Sequence, residues 1–343
     1  MRNSSRKGTI YKVLALTVFV FVVAGGMFAV RKWENNRDRD SGPEVVTLEE
    51  EKKMIRYNGQ WYELRRDIET VLVIGLDKFS SQVERNSYNN DQRADFILLL
   101  MIDKTNSNIQ AIHINRDTMA DIQVLGVAGQ VISSQKAQLA LSYNYGSGGH
   151  DSCRNTVKAV SDYLYELPID NYVSITMDAV AELNDMVDGV TVKLMDDFTS
   201  VDPEMQEGAE YTLTGERALA YVRARSTLED KTNMHRMERQ RQYIRALFDK
   251  VKEKAKNDED FAVDVTVKLS QYMVTDFSAS SFRQLADELL DYSLAAVKPI
   301  EGEAVVGEEF MEFYPDEDAL KEMLVNTFYV PSDYKETEAE SPV

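Results

Sequence analysis

Arginine is concentrated in one segment of this chain, residues 217–245. The segment carries eight Arg or Lys residues against three Asp or Glu residues, a local net charge of +5, whereas the whole chain of 343 residues carries −19. A guanidinium group keeps its charge at physiological pH and donates two parallel hydrogen bonds to phosphate oxygens. The segment therefore predicts either a phosphate-binding surface or a solvated helix face that pairs with the acidic remainder of the protein.

Three long donors of this segment share one helix face. In a helix predicted over residues 234–256, Arg236, Arg239 and Gln240 fall at positions i, i+3 and i+4, which are neighbours on a helix surface. Arg223 belongs to a preceding predicted helix. Arg223 and Arg225 are two positions apart and would point in different directions on a regular helix.

Asp77 and Asp95 are candidates for the same site because each lies at the end of a predicted strand. Three short runs rich in Val, Ile and Leu predict strands, Val71–Leu76, Phe96–Ile102 and Ile109–Ile114. The last two are separated by the turn-forming residues DKTNSN, so they should pair as an antiparallel hairpin. If the first strand runs parallel to the third, Asp77, Asp95 and Arg116 meet at one sheet end, where ligands of open α/β sheets commonly bind.

Such a pair of carboxylates suits Mg²⁺. This ion takes oxygen ligands from one or two carboxylates, substrate phosphates and water. The sequence therefore predicts a Mg²⁺ cofactor held by Asp77 and Asp95. Other interpretations stay open, since an Asp after a strand is often a turn former or a helix cap, and Asn115-Arg116-Asp117-Thr118 also suits a strand-end turn with an internal salt bridge.

The remaining pattern is that of an α/β protein. Helices are predicted over residues 152–165, 177–187, 215–225, 234–256 and Ser281–Leu290, and strands over Tyr172–Ile175, Val190–Leu194 and Ala295–Ile300. Thr214 is the predicted N-cap of the helix ERALAYVRAR. We expect a three-layer-like α/β/α domain with a central mixed sheet, behind an N-terminal transmembrane helix.

Composition excludes several classes of protein. The apolar fraction of 43% is typical of a globular chain, and the net charge of −19 argues against a nucleic-acid partner. Cys153 is the single cysteine, so an internal disulfide is impossible. Any chemistry must use carboxylates, arginines or hydroxyls.

The N-terminal region predicts a membrane anchor. Residues 13–30 are 18 uncharged residues, which span about 27 Å as a helix at about 1.5 Å per residue. Positively charged residues precede them and should stay in the cytoplasm. A cleaved signal peptide is the alternative, but its apolar core is usually about 7–15 residues long. We therefore expect a single-pass protein of the cell membrane, with the N-terminus in the cytoplasm and the large C-terminal part of the chain outside.

The predicted organisation has five parts. They are a cytoplasmic N-terminus over 1–12, a transmembrane signal anchor over 13–30, an extracellular stalk over 31–68, a large folded domain over 69–330 with a motif-bearing core over 70–250, and an acidic disordered tail over 331–343.

An ordered set of motifs carries a family resemblance. They are IGLD at 74–77, RAD at 93–95, INRDT at 114–118, VDGV at 187–190, LTGERALAYVRAR at 213–225 and RMERQ at 236–240. In this order the chain resembles the LytR-CpsA-Psr family of envelope enzymes. The resemblance covers about residues 70–250.

The resemblance implies a phosphotransferase that uses Mg²⁺. It would move a glycopolymer from an undecaprenyl-pyrophosphate carrier in the membrane bilayer to a peptidoglycan hydroxyl, forming a phosphodiester. Asp77 and Asp95 match metal-binding carboxylates, and Asp95, Arg116 and Arg223 are the expected catalytic residues. The positions that match pyrophosphate-binding or stabilising residues are Arg93, Arg116, Arg223, Arg225, Arg236 and Gln240.

The chain departs from the family pattern at three places. At one of them, twelve mostly polar residues near Ser80–Asp91 lengthen the connection from Asp77 to Asp95. The usual Asp-x-Gly-Arg reads Asn233-Met234-His235-Arg236, and the usual Lys-x-Asn-x-Ala reads as residues 136–140, with Gln138 in the Asn position. Two other functions stay open on the sequence alone. One is a lipid pyrophosphatase that uses the same site with water as acceptor, and the other is a non-catalytic envelope sensor that retains the lipid-phosphate pocket.

Overall fold

A computed structural model describes five parts of the chain. They are residues 54–77, 92–224, 233–258, 260–278 and 292–334. The predicted cytoplasmic segment 1–12, the anchor 13–30, Arg225, the helix Ser281–Leu290 and the tail beyond residue 334 lie outside the described residues. No helix among the residues described combines the length and the apolar character that crossing a bilayer requires.

The described residues form fifteen strands and seven α-helices. The strands are β1 Met54–Tyr57, β2 Gln60–Leu64, β3 Ile68–Leu76, β4 Ala94–Asp103, β5 Asn108–Ile114, β6 Met119–Leu125, β7 Val131–Gln138, β8 Asn171–Thr176, β9 Val190–Lys193, β10 Glu210–Leu213, β11 Met273–Thr275, β12 Ser293–Pro299, β13 Gly302–Val306, β14 Met311–Pro315 and β15 Tyr329–Pro331. The helices are α1 Leu141–Asn144, α2 Gly149–Tyr163, α3 Asp178–Met186, α4 Gly215–Arg223, α5 Met234–Asn257, α6 Phe261–Leu269 and α7 Glu317–Phe328, with a 3-10 turn at Ser270–Tyr272.

The central sheet has six strands in the order β11-β8-β3-β4-β5-β12. Strand β3 pairs antiparallel with β4 and parallel with β8, and β4 pairs antiparallel with β5. The predicted hairpin is therefore confirmed, and β3 and β5 run in the same direction on either side of β4. The sheet is mixed, as the sequence predicts.

Both faces of this sheet are covered. Because successive side chains of a strand point to opposite faces, Val71 and Val73 of β3 enter one core, and Leu72 and Ile74 enter the other. The first core also holds residues of α3, α4, α5 and α6, and the second holds residues of α2, α7 and the β6–β7 hairpin. The three-layer arrangement is confirmed for the described part of the chain.

The structure corrects the predicted stalk. Residues 54–64 form a hairpin, β1–β2, and β2 pairs further with β15, so that Leu64 lies opposite Tyr329. The turn is Asn58-Gly59, and both residues have positive φ angles, 49° and 79°. Asn-Gly favours this two-residue turn because both central positions need positive φ. The folded domain therefore includes residues that the polar composition of 31–68 assigns to a stalk.

Candidate active site

The ends of β3 and β4 bring Asp77, Arg93 and Asp95 together. The backbone N–H of Arg93 donates to Asp77 Oδ1 over 2.9 Å, and the backbone N–H of Asp77 donates to the Arg93 carbonyl over 3.3 Å. Asp95 is the extra residue of a β-bulge, because Gly75 pairs with Phe96 and Leu76 pairs with Ala94. A bulge re-aims the side chain of the extra residue, and here that side chain reaches Arg116.

Arg116 follows the end of β5 and is held by two carboxylates. It forms an ion pair with Asp95 Oδ1, and its Nε donates to Asp117 Oδ1 over 3.2 Å. Its side chain is only 6% exposed, so these contacts replace water. The predicted meeting of Asp77, Asp95 and Arg116 at one sheet end is therefore observed, and so is the alternative of an internal salt bridge between Arg116 and Asp117.

Opposing influences act on the pKa of Asp77 at this sheet end. Burial raises the pKa of Asp77, and the nearby carboxylate of Asp95 raises it further. The hydrogen bond from the Arg93 backbone and the charges of Arg93 and Arg116 oppose this rise in pKa. Two carboxylates that disfavour each other's charge at a partly buried site are suited to share a cation.

The donor set fits Mg²⁺ only as an incomplete site. Each carboxylate uses one oxygen, Oδ1, in a hydrogen bond with the protein, Asp77 to Arg93 and Asp95 to Arg116. Within the described ranges, no cluster of three or more His, Cys, Asp or Glu side chains could hold a metal ion. Two carboxylates completed by phosphate oxygens and water are an ordinary Mg²⁺ arrangement, so the residues present fit this ion.

Arg223 comes to the site at the end of helix α4. Thr214 occupies the N-cap position as predicted, but among the described residues its side chain makes no capping hydrogen bond. Instead, the backbone N–H of Gly215 donates to Asp185 Oδ1 over 2.7 Å. Arg223 is exposed on the last turn of this helix, which places its charge at the boundary between the helix and solvent.

Helix α5 holds the end of α4 in place through its side chains. Gln240 Nε2 donates to the Val222 carbonyl over 3.0 Å, and Arg239 Nε donates to the Tyr221 carbonyl over 3.1 Å. Arg239 is 1% exposed and forms an ion pair with Asp196. Arg239 is therefore part of the internal framework, and Gln240 shares its role of holding the end of α4. The predicted pyrophosphate contact of Gln240 stays a prediction.

Arg236 lies beside strand β5. It is buried, and its charge acts on His113 of that strand. Burial, then the charges of Arg241 and Arg236, lowers the pKa of the His113 imidazole to about 3. His113 is therefore a neutral core residue, and Arg236 is close to the strand that leads into Arg116.

A pair of asparagines ties the two parts of the site together. Asn233 Nδ2 donates to Asn115 Oδ1 over 3.2 Å, and the same oxygen accepts the backbone N–H of Asp117 over 3.0 Å. Asn233 immediately precedes α5, and Asn115 immediately follows β5. Sequence reasoning assigned no role to either side chain, because nothing in the sequence pairs two residues that lie 118 positions apart.

An apolar groove runs between the sheet and the helices next to these residues. Its walls include Val73, Leu98, Ile175, Val180, Leu183 and Leu247, and its volume, which includes space open to solvent, is about 880 Å³. Arg223, Gln240 and Gly75 also line it. The groove therefore reaches from the core of the helical layer to the charged end of the sheet. The sequence could not identify these lining residues, since they come from six separate elements.

Comparison with known proteins agrees with this arrangement. The model of the LytR_cpsA_psr family matches residues 36–327. The chain belongs to the LytR-CpsA-Psr family.

Curated relatives in this family match shorter parts of the chain. One, named polyisoprenyl-teichoic acid–peptidoglycan teichoic acid transferase TagU, from Halalkalibacterium halodurans, is 35% identical over 107 residues, which is 31% of this chain and 34% of the relative. The TagU of Enterococcus faecalis is 32% identical over 187 residues, 53% of this chain and 56% of the relative. The matched part of the chain thus spans between about a third and about half of these relatives.

Solved structures share the fold. TagV of Bacillus subtilis superposes with a TM-score of 0.56 at 22% identity, covering 77% of this chain and 98% of that one. A structure of TagT bound to LI-WTA gives a TM-score of 0.55 at 20% identity, covering 76% and 91%. These likenesses show a common mixed α/β architecture.

Proposed function

We propose that this protein transfers a glycopolymer from an undecaprenyl-pyrophosphate carrier to a hydroxyl of peptidoglycan. One observation carries the proposal. An apolar groove suited to a polyprenyl chain ends at a cluster of arginines and aspartates suited to a pyrophosphate. Membership of the family and the printed names of the TagU relatives support the same substrates.

In the proposed reaction, an acceptor hydroxyl oxygen attacks the phosphorus that bears the glycopolymer. A new phosphorus–oxygen bond forms, the bond to the bridging pyrophosphate oxygen breaks, and polyprenyl phosphate leaves while the hydroxyl proton passes to solvent. Arg93, Arg116 and Arg223 neutralise the phosphoryl oxygens, and preorganised charge of this kind often contributes more to catalysis than any other single effect. Arg225, Arg236 and Gln240 are proposed to assist binding.

Mg²⁺ belongs to the same proposal. Asp77 and Asp95 would hold it, and when bound it would supply further neutralisation of the phosphoryl oxygens. Arg116 then has a second task, because its ion pair with Asp95 would keep that carboxylate oriented. Chelation should abolish transfer, and titration calorimetry with Mg²⁺ and a non-reactive polyprenyl pyrophosphate should show binding that Asp77→Asn weakens.

The location in the membrane is also proposed. Residues 13–30 would anchor the protein in the cell membrane, with residues 1–12 in the cytoplasm and the catalytic domain outside. Cys153 is fully buried and burial raises its pKa to about 12, so it should not react with maleimides. A cysteine introduced at the exposed Ser134 should therefore be labelled in intact cells by an impermeant maleimide, and labelling only after lysis would contradict the topology.

The decisive assay combines purified protein, lipid-linked polymer and peptidoglycan oligomers. A covalent conjugate together with released polyprenyl phosphate supports the proposal. Polymer phosphate without a conjugate would indicate a lipid pyrophosphatase, and binding without turnover would indicate a sensor. Asp95→Ala should abolish conjugate formation.

A further inference from the structure

Gln138, the last residue of strand β7, joins three parts of the molecule. It is 6% exposed. Its single amide nitrogen, Nε2, donates to Asp117 Oδ1 over 3.0 Å and to the Met311 carbonyl over 2.7 Å. Both hydrogens of the amide are therefore used, one toward the site and one toward strand β14.

The contact with Asp117 leads directly to Arg116. Asp117 Oδ1 accepts both the Gln138 amide and the Nε–H of Arg116. A guanidinium is planar, so a fixed Nε also fixes the direction of the two terminal nitrogens. One of those terminal nitrogens contacts Asp95. The series Met311, Gln138, Asp117 and Arg116 thus runs from a C-terminal strand to the centre of the site.

We propose that Gln138 is a positioning residue, which holds the Asp117 carboxylate so that the Arg116 guanidinium points at the pyrophosphate. This inference rests on the proposed function of the site. Arg116 is the group that touches substrate, and Gln138 acts only through Asp117.

The neutral amide is what makes this arrangement useful. When a phosphate oxygen or a cation engages Asp95 or Arg116, the contact between those two side chains must change, whereas the Nε contact with Asp117 can stay. A cationic residue at position 138 would neutralise Asp117 and weaken its hold on Arg116. The amide instead fixes the Asp117 carboxylate and leaves its negative charge for Arg116, and hydrogen bonds to a charged group are stronger than neutral ones.

The C-terminal strands become part of the catalytic framework in this account. The backbone N–H of Phe313 donates to the Asp117 carbonyl over 2.9 Å, so β14 holds the Asp117 backbone directly and its side chain through Gln138. Gln138 therefore holds the side chain of Asp117, and Phe313 holds its backbone carbonyl. Asp117 is 9% exposed, which makes misplacement of its carboxylate costly.

The test uses two substitutions with different pH behaviour. Gln138→Glu places a second carboxylate against Asp117, so at pH 8 we expect transfer to fall by about 10- to 100-fold, the range for losing a hydrogen bond to a charged group. The pKa of the new carboxyl is raised by its neighbour and by burial. Its protonated form can donate again, so the activity relative to wild type should recover as the pH falls toward 5.5. Gln138→Met removes both donors without charge, so its loss should not depend on pH.

A matched control lies on the same strand. Gln135→Glu makes the same chemical change three residues earlier, at an exposed side chain, and should leave the rate and its pH dependence unchanged. A purely structural role would lower the folded fraction of both Gln138 variants in parallel with their activity, which circular dichroism at each pH would show. Wild-type rates in both Gln138 variants, or a loss in Gln138→Glu without recovery at low pH, would overturn the inference while leaving the proposed function standing.

Failure of the proposed function gives a different result. In that case the wild-type protein forms no conjugate, and the inference is decided by crystal structures of wild type and Gln138→Met. Displacement of the Asp117 carboxylate and of Arg116 Nε in the variant supports it, and an unchanged pair overturns it.

Discussion

The two sides of the candidate site are held together by different forces. At the sheet end, Arg116 is fixed by carboxylates, Asp95 and Asp117. On the helical side, Arg239 and Gln240 are fixed mainly by backbone carbonyls of helix α4. A carboxylate partner can be exchanged for a phosphate oxygen or shared with a cation, whereas a bond to a helix-end carbonyl is structural. This difference indicates that the sheet end carries most of the chemistry, whereas Arg239 and Gln240 support the helix that presents Arg223.

The largest effect is expected at the sheet end. Arg116→Ala should lower the rate of transfer by about 10²–10³-fold, the usual cost of removing one preorganised donor from a charged transition state. The folded fraction, measured by circular dichroism, should stay high. Arg66→Ala removes the same side chain from an exposed position outside the site and should leave transfer unchanged.

Arg239, on the helical side, should contribute mainly to the free energy of unfolding. Arg239→Met removes a guanidinium that is 1% exposed and leaves Asp196 without its arginine partner, with only His235 Nδ1 beside its other oxygen at 3.2 Å. Breaking such a pair from one side costs about 3–5 kcal/mol in unfolding free energy, which chemical denaturation would measure. Equal stability of this variant and wild type would remove the distinction between the two sides.

The groove can be tested by partial filling. Val180→Phe adds bulk to its wall from helix α3, where Val180 is half-buried. Excluding about two methylenes of a polyprenyl chain, at about 0.8 kcal/mol each, corresponds to a loss in affinity of about tenfold. We expect KM for the lipid-linked substrate to rise while kcat stays near the wild-type value. A fall in kcat alone would place the lipid elsewhere.

The hydrogen bond between Asn233 and Asn115 connects the helical side to the sheet end, and changing it should have a smaller effect. Asn233→Asp replaces the Nδ2 donor by a carboxylate oxygen facing Asn115 Oδ1, which must still accept the Asp117 backbone N–H. Loss of one neutral hydrogen bond of about 1 kcal/mol predicts a decrease of about fivefold in kcat/KM. Asn233→Ser, which keeps a donor, should lose less, and an increase in kcat/KM with Asp would contradict this role of the pair.

The smallest effect is expected for the melting temperature of Asp77→Asn, and its direction follows from the raised pKa of Asp77. The folded protein raises the pKa of this carboxyl, so the folded state holds the proton more tightly than the unfolded state. Its contribution to stability is therefore lost as pH rises from the ordinary Asp value through the raised one. Asp77→Asn should raise the melting temperature at pH 7 and leave it nearly unchanged at pH 3. A lower melting temperature at pH 7 would contradict the assigned direction.

The sequence predicted which residues meet at the sheet end because β4 and β5 are consecutive strands, and the short turn between them sets their register. The hairpin of β4 and β5 places Ile97 opposite Ile114, and this register brings Asp95 and Arg116 to the same end of the sheet. It could not anticipate the bulge that turns Asp95, nor the inward direction of Arg239, because both depend on packing against other elements. The β1–β2 hairpin was missed although Asn58-Gly59 is a direct signal for it.

The most direct measurement of the central claim is the fate of the polymer phosphate in water labelled with ¹⁸O. Lipid-linked polymer and peptidoglycan oligomers are incubated with the wild-type protein, and the products are analysed by mass spectrometry. If the protein transfers the glycopolymer, the wild-type product is a phosphodiester conjugate that contains no ¹⁸O. Arg116→Ala should not form this conjugate. Polymer phosphate carrying ¹⁸O, with no conjugate, would contradict transfer and show hydrolysis at the same site.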